Sequence, residues 1–156
     1  MTKFSAILIG NETLTAHCGE TLLARGHGLA AVVTQSADVR AWAQGKGLRV
    51  EEQGPGLAER LAGTEVDWLL SVANLVMIPP AILQLAGRGA VNFHDGPLPR
   101  YAGLNAPVWA IIGGEPQHGI SWHMIEGGVD EGDILTQRLF EIRPDDTALT
   151  LNARCF

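Results

Sequence analysis

Asn92 and His94 stand on either side of Phe93, where an apolar run ends. Gly89-Ala90-Val91 reads as a short buried strand. The stretch that follows, Asn92-Phe93-His94-Asp95-Gly96-Pro97-Leu98-Pro99-Arg100-Tyr101-Ala102-Gly103, has two Gly and two Pro within eight residues, 96–103. The chain therefore leaves the strand through a rigid, turn-rich loop. In an open α/β sheet, ligands bind at the carboxyl ends of the strands. Two side chains able to donate hydrogen bonds thus sit where chemistry takes place. An amide can hold a developing negative charge, and imidazole is the side chain that changes charge near neutral pH. Taken alone the pair is common: Asn92 equally closes a turn, and His94 equally serves as a satisfied polar residue at a strand end. Weight comes from a second loop, Gly127-Gly128-Val129-Asp130-Glu131-Gly132-Asp133, which is glycine-rich and acidic.

These loops need a scaffold, and the apolar pattern describes one. Phe4 to Gly10 reads as a fully buried strand, followed by a helix from Leu14 to Arg25 ended by Gly26 or Gly28. Leu29–Thr34 is a second strand, Ala37–Gly45 a helix, and Leu48–Val50 a short third strand. Pro55–Ala62 is a helix, Asp67–Val72 a fourth strand, Pro79–Leu85 a helix opened by proline, and Gly89–Phe93 a fifth strand. This alternation predicts an α/β fold, a Rossmann-like, mostly parallel sheet with helices on both faces. No G-x-G-x-x-G follows the first strand, so a dinucleotide site lacks support. After the central loop, Asn105–Ile112 reads as a helix with Asn105 as its cap, and Gly119–Ile125 and Ile134–Ile142 as strands. Trp109 and Trp122 are expected in the core. Pro144-Asp145-Asp146-Thr147 opens a last helix, with Ala148, Leu149 and Leu151 as its apolar face. That helix runs into Phe156, so the chain reads as part of a longer polypeptide.

The chain has 156 residues, 46% hydrophobic and 18% charged, which suits one globular domain. Its formal charge is −6 and its eleven Lys and Arg are scattered, which speaks against a nucleic-acid partner. Cys18 and Cys155 make neither a metal-ligand spacing nor a disulfide framework, and a reducing, cytoplasmic setting is the default. Trp68 to Gly87 carries no charge over twenty residues and imitates a membrane span. Pro79-Pro80 breaks it, and Ser71, Asn74 and Gln84 interrupt it, so a strand, a loop and a helix account for it and no membrane is implied.

With both loops placed, the sequence resembles the formyltetrahydrofolate-dependent formyltransferase family. The shared pattern is N-x-H, then a loop like S-L-L-P-R-Y-x-G, then one like G-x-D-x-G-D-I-L. Here these are Asn92-Phe93-His94, Pro97-Leu98-Pro99-Arg100-Tyr101-Ala102-Gly103, and Gly128-Val129-Asp130-Glu131-Gly132-Asp133-Ile134-Leu135. The resemblance extends to Val32-Val33-Thr34-Gln35 and covers nearly all of residues 1–156, as most of that family's catalytic domain, cut short at its C-terminal end. It implies transfer of a formyl group from 10-formyltetrahydrofolate to an amine, without a metal. It makes Asn92, His94 and Asp130 the catalytic trio. It places the folate against Ser71, Val72, Ala73, Asn74, Leu75 and Met77 after the fourth strand. On the second loop it adds Ile125, Glu126, Gly127, Gly128 and Val129. Arg100 and Tyr101 fall on the acceptor side; Arg100 suits an anionic acceptor, the folate's glutamate tail or plain solvent.

The sequence departs from the family in three ways, and the last two speak against tRNA as acceptor. Asp95-Gly96-Pro97 replaces the more usual P-S-L or G-S-L, Ala102 stands where methionyl-tRNA formyltransferases commonly have a second Arg, and no basic loop for a tRNA stem is present. Asn92-Phe93-His94-Asp95 together with Ala102-Gly103-Leu104-Asn105-Ala106 is similar to formyltransferase domains of nonribosomal peptide and polyketide assembly lines. The expected partners are therefore a folate and a carrier-bound aminoacyl group or small amine, with downstream domains of the same polypeptide.

The implied chemistry suits these residues. Amine attack on the formyl carbon forms a tetrahedral oxyanion, which needs donors aimed at it. The leaving nitrogen needs a proton, which an imidazolium supplies. A carboxylate such as Asp130 keeps that ring charged and oriented, or takes the nucleophile's proton directly or through water. Rival chemistries lack their residues: there is no G-x-S-x-G elbow, no H-E-x-x-H, and the histidines at 17, 27, 94, 118 and 123 have no ligand spacing. His123 lies outside the motifs and reads as structural or acceptor-side, while Asp133 and Glu126 read as loop-shaping or substrate-proximal. Two other functions use the same residues: hydrolysis of formyltetrahydrofolate by water, and folate binding without catalysis.

Overall fold

A computed structural model describes residues 2–156. The elements in chain order are β1 (Ser5–Ile9), α1 (Thr13–Ala24), β2 (Gly28–Val33), α2 (Ala37–Gly45), β3 (Val50–Glu51), α3 (Leu57–Leu61) and β4 (Val66–Ser71). They continue as α4 (Pro80–Leu83), β5 (Ala86–His94), α5 (Ala106–Ile112), β6 (Gln117–Met124), β7 (Ile134–Glu141) and α6 (Ala148–Cys155). The strands form one seven-stranded sheet in the order β3-β2-β1-β4-β5-β6-β7. By chain contacts there are two compact units, Met1–Val91 and Asn92–Phe156.

In the first unit β1 is the central strand. It pairs in parallel with β2, Ile9 opposite Val33, and with β4, Ile9 opposite Ser71; β2 pairs in parallel with β3. Ala6, Ile7, Leu8 and Ile9 are fully buried, as a parallel strand covered on both faces must be. At its end Gly10 passes so close to the next strand's exit that a side chain there would sit 1.9 Å from the Val72 carbonyl oxygen and 2.2 Å from Thr15 Oγ1. The Thr15 hydroxyl donates to that same carbonyl at 2.9 Å. The uncharged stretch from Trp68 resolves into the end of β4, a loop, the four-residue α4 and the start of β5. Among the described residues no helix is long and apolar enough to cross a membrane.

In the second unit β6 and β7 form an antiparallel hairpin whose register shifts between Trp122 and His123. Phe93 of β5 meets Trp122 edge-on at 5.3 Å and Phe156 at 6.2 Å. Because side chains alternate along a strand, Asn92 and His94 share the face opposite Phe93.

Several local expectations are corrected. α6 starts at Ala148 and not at Pro144: Thr147 is its cap, in a reciprocal capping box with Thr150. Asp146 stays outside the helix, accepting from Arg143 N at 2.8 Å and pairing with Arg154. Its buried stripe is Leu151 and Cys155, one turn apart, whereas Leu149 is 79% exposed. Asn105 precedes α5 in the left-handed conformation (φ 64°) and its side chain caps nothing, since Asn tolerates that backbone region. α5 buries Ala106, Pro107 and Ala110, which turns Trp109 outward to 56% exposure; Trp122 is half-buried.

The α6 packing yields a direct contrast. Leu151→Ala should destabilise the protein by about 3 kcal/mol through lost contacts and a cavity, and Leu149→Ala by under ~0.5 kcal/mol. Urea unfolding of both variants measures the difference, and equal losses would contradict the buried stripe described here.

Candidate active site

His94, the last residue of β5, is 5% exposed. Its Nε2 is 2.8 Å from the Tyr101 carbonyl oxygen. Its Nδ1 lies 3.4 Å from Asp130 Oδ2 and 3.9 Å from Asp95 Oδ1. Every polar neighbour of this ring is an acceptor. A neutral imidazole can donate from one nitrogen only, so the doubly protonated ring is the form that satisfies both sides. Burial raises the Asp95 carboxyl above its ordinary value, which leaves Asp130 as the closer and better counter-charge.

Asp130 reaches this position from the loop between β6 and β7. The backbone there is tightly specified. Met124 N donates to Asp133 O at 2.9 Å, closing the loop, and Gly128 N donates to Glu131 Oε2 at 2.8 Å. A side chain on Gly132 (φ 112°) would fall 2.3 Å from the Met124 carbonyl oxygen, so only glycine closes this turn. Glu131, rather than Glu126 or the Asp133 side chain, shapes the loop. Asp130 itself has φ 53°, a left-handed conformation unfavourable for a residue with a Cβ. Its Oδ2 accepts Gly103 N at 2.7 Å, which ties this loop to the one after His94.

No side-chain hydrogen bond joins Asn92 to His94 or Asp130. Its Nδ2 is 3.2 Å from His123 Nε2, and that nitrogen is 3.5 Å from Asp130 Oδ1. The structure therefore brings Asn92, His94 and Asp130 together with a fourth residue that the motifs leave out. A signal for it existed: His123 and Ser121 are two apart on β6 and so face the same way. Ser121 donates to Gly96 O at 2.7 Å, accepts from Leu98 N at 3.1 Å and from Gln137 Nε2 at 2.9 Å, and so anchors the loop after His94. His118, also on β6, donates from Nε2 to Asp95 O at 2.8 Å. Burial lowers its affinity for a second proton, and its Nδ1 has no hydrogen-bond partner.

The other sequence-derived positions spread differently. Arg100 is paired with Glu115, and the Tyr101 hydroxyl donates to that same carboxylate at 2.7 Å, so Arg100's charge is already answered. Ser71 and Val72 are buried, and Ala73 and Asn74 are half-buried. Asn74 shapes its loop, donating to Val76 O at 2.8 Å and accepting from Val76 N at 3.2 Å. Leu75, Met77 and Val129 are 80%, 68% and 57% exposed. Ile125 is half-buried, and Glu126, Gly127 and Gly128 are exposed.

The ring of His94 rests directly on Gly96. A Cβ at Gly96 would sit 2.7 Å from His94 Nε2 and 2.9 Å from the Ala106 Cβ. Gly96→Ala should therefore displace the imidazole from Tyr101 O and lower turnover about 100-fold, as small misplacements do. Turnover measured beside the melting temperature tests this; wild-type turnover in the variant would show that the ring position is immaterial.

Known proteins match this chain along most of its length. Residues 24–156 match the family described as formyl transferase. A methionyl-tRNA formyltransferase from Anaeromyxobacter dehalogenans is 33% identical over 162 residues, covering 94% of this chain and 52% of that protein. The chain thus spans about half the length of this curated relative. Among solved structures, glycinamide ribonucleotide transformylase 1 from Symbiobacterium toebii superposes with a TM-score of 0.84 at 24% identity, over 98% of this chain and 80% of that one. A formyltetrahydrofolate deformylase from Pseudomonas putida reaches 0.76 at 20% identity, over 99% and 60%. The last two likenesses concern the fold, whereas the sequence match decides membership: this chain belongs to the formyl transferase family.

Proposed function

We propose that this chain transfers a formyl group from 10-formyltetrahydrofolate to an amine. The observation that carries this is the His94 ring, held between the Tyr101 carbonyl and the Asp130 carboxylate with an acceptor on each nitrogen. An imidazolium fixed in that way, at the carboxyl end of a strand, is a poised proton donor with a buried counter-charge. The acceptor's nitrogen attacks the formyl carbon and a tetrahedral oxyanion develops. Asn92 donates a hydrogen bond to that oxygen, and His94 joins it by turning its Nε2–H from the Tyr101 carbonyl to the reacting group, so that both act on charge formed during the reaction. As the intermediate collapses, the bond from the formyl carbon to N10 breaks and N10 receives a proton from His94. The attacking nitrogen's proton passes to Asp130, directly or through water, and then restores the ring. Product amide and tetrahydrofolate leave with atoms and charge balanced.

For the folate we assign the loop from Ser71 to Met77 and the loop from Ile125 to Val129. Leu75 and Met77 on the one loop, and Val129 on the other, support this as apolar side chains standing in solvent. Ala73 and Asp130 support it too. They are two of only four non-glycine residues with positive φ among the described residues, and such conformations gather at ligand sites. For the acceptor we assign a carrier-bound aminoacyl group or a small amine, with downstream domains delivering it, rather than tRNA. The net charge of −6 and the pairing of Arg100 with Glu115 favour this over a nucleic-acid backbone, which basic side chains bind.

Incubation with 10-formyltetrahydrofolate, with and without candidate amines, tests the proposal through the absorbance of tetrahydrofolate. Amine-dependent product formation is expected. Formate release at equal rates without amine would make the protein a hydrolase, and binding without any product would make it a folate-binding domain. His94→Ala should lower turnover by ~10²–10⁴-fold while folate affinity changes little. Unchanged turnover would remove His94 from the mechanism.

A further inference from the structure

His123 lies outside both loops that carry the family pattern, yet it is 2% exposed and touches two of the three residues assigned above. Its Nδ1 is 2.8 Å from the Met124 carbonyl oxygen. A carbonyl only accepts, so Nδ1 carries a proton. The neighbours of Nε2 decide the rest. Where His94 meets acceptors alone, His123 Nε2 has the Asn92 amide nitrogen as its nearest polar neighbour, at 3.2 Å, and Asp130 Oδ1 farther off at 3.5 Å. Asp130 is the carboxylate in contact with both rings, and Gly103 N already holds its Oδ2. It can offset one buried imidazolium, and His94 has no other way to satisfy its nitrogens. A second buried cation beside the same carboxylate would lack a partner of its own. His123 is therefore the neutral ring, with a bare Nε2 that accepts from Asn92.

We infer that His123 is a positioning residue that fixes the orientation of the Asn92 amide. The relay runs from the Met124 carbonyl, which takes the Nδ1 proton, through the ring to Nε2, which takes one N–H of Asn92. The amide has two N–H groups, so the second stays free for the formyl oxygen. Were Nε2 protonated, the amide would have to turn over. Its oxygen would then accept from the ring and its donors would point elsewhere. The neutral tautomer, set by a backbone carbonyl, is thus what keeps Asn92 a donor in one direction. The consequence for turnover rests on the formyl-transfer reading; the relay itself does not.

Two substitutions and one turnover-independent measurement test this. Asn in place of His123 keeps a polar group near the Nδ1 position but leaves the Nε2 position empty, whereas Gln can place an acceptor there. His123→Asn should lower kcat about 10- to 100-fold with the KM for 10-formyltetrahydrofolate unchanged within about twofold. His123→Gln should recover at least about a third of the lost rate on a logarithmic scale. In an Asn92→Ala background, His123→Asn should cost no more than about twofold further, because nothing remains to orient. Equal losses in the Asn and Gln variants, or fully additive losses with Asn92→Ala, overturn the inference. Nitrogen NMR of the unmodified protein decides it independently of turnover and of whether any variant folds. A neutral Nδ1–H ring at His123, with scalar coupling across the hydrogen bond from Asn92 Nδ2 to His123 Nε2, is the expected result. A doubly protonated His123, or no such coupling, overturns it. Absence of formyl transfer with the expected NMR result would sink the functional proposal and leave the relay in place.

Discussion

A buried imidazole with an acceptor at each nitrogen is the constraint around which the second unit is built. His94 donates to the Tyr101 carbonyl and faces the Asp130 carboxylate. Neither partner comes from a regular element. Tyr101 and Asp130 both adopt left-handed backbone conformations, which are unfavourable for residues with a Cβ and persist only where surrounding contacts over-determine them. Those contacts are visible. Tyr101 is anchored through its hydroxyl to Glu115, Asp130 through its Oδ2 to Gly103 N, and the close-packed Gly96 supports the ring from below.

The same economy of polar groups explains β6. Along one strand, His118 holds the Asp95 carbonyl, Ser121 holds Gly96 and Leu98, and His123 reaches Asn92 and Asp130. Three buried polar side chains on a strand would normally weaken a core, since an unpaired buried polar group is unfavourable by ~1–3 kcal/mol. Here His118 Nε2 and the Ser121 hydroxyl are matched to backbone groups of the loop after His94, so the strand serves as a rail that sets that loop. His118 Nδ1 is left without a partner, on a ring whose affinity for a second proton burial lowers.

This arrangement separates chemistry from choice of acceptor. In the proposed reaction His94, its carboxylate and the Asn92 amide form one network that would serve amine or water as nucleophile. Discrimination must come from what approaches them. Arg100, exposed on the loop after His94, is already neutralised by Glu115, so an anionic group would have to compete with that carboxylate.

Much of this was legible in the chain itself. Runs such as Ala6-Ile7-Leu8-Ile9 can be little other than a strand buried on both faces, and α2 was read from the sequence with the bounds it has, Ala37–Gly45. The spacing of Asn92 and His94 placed both on one face of β5, and the glycines of 127–132 announced a turn able to deliver Asp130. Ends and orientations were less legible. α6 began at Ala148 because a capping box at Thr147 outcompeted the earlier acids, and Trp109 turned outward because the short α5 buries its small residues. What only the tertiary structure decided is the pattern of polar contacts in the site. It depends on two carbonyl oxygens, Tyr101 and Met124, and one N–H, Gly103, and backbone groups are the same at every position of a sequence. Which of them meets a histidine or a carboxylate is set by turns that long-range packing closes. For that reason a residue outside every motif, His123, came to share a site with residues the motifs had named.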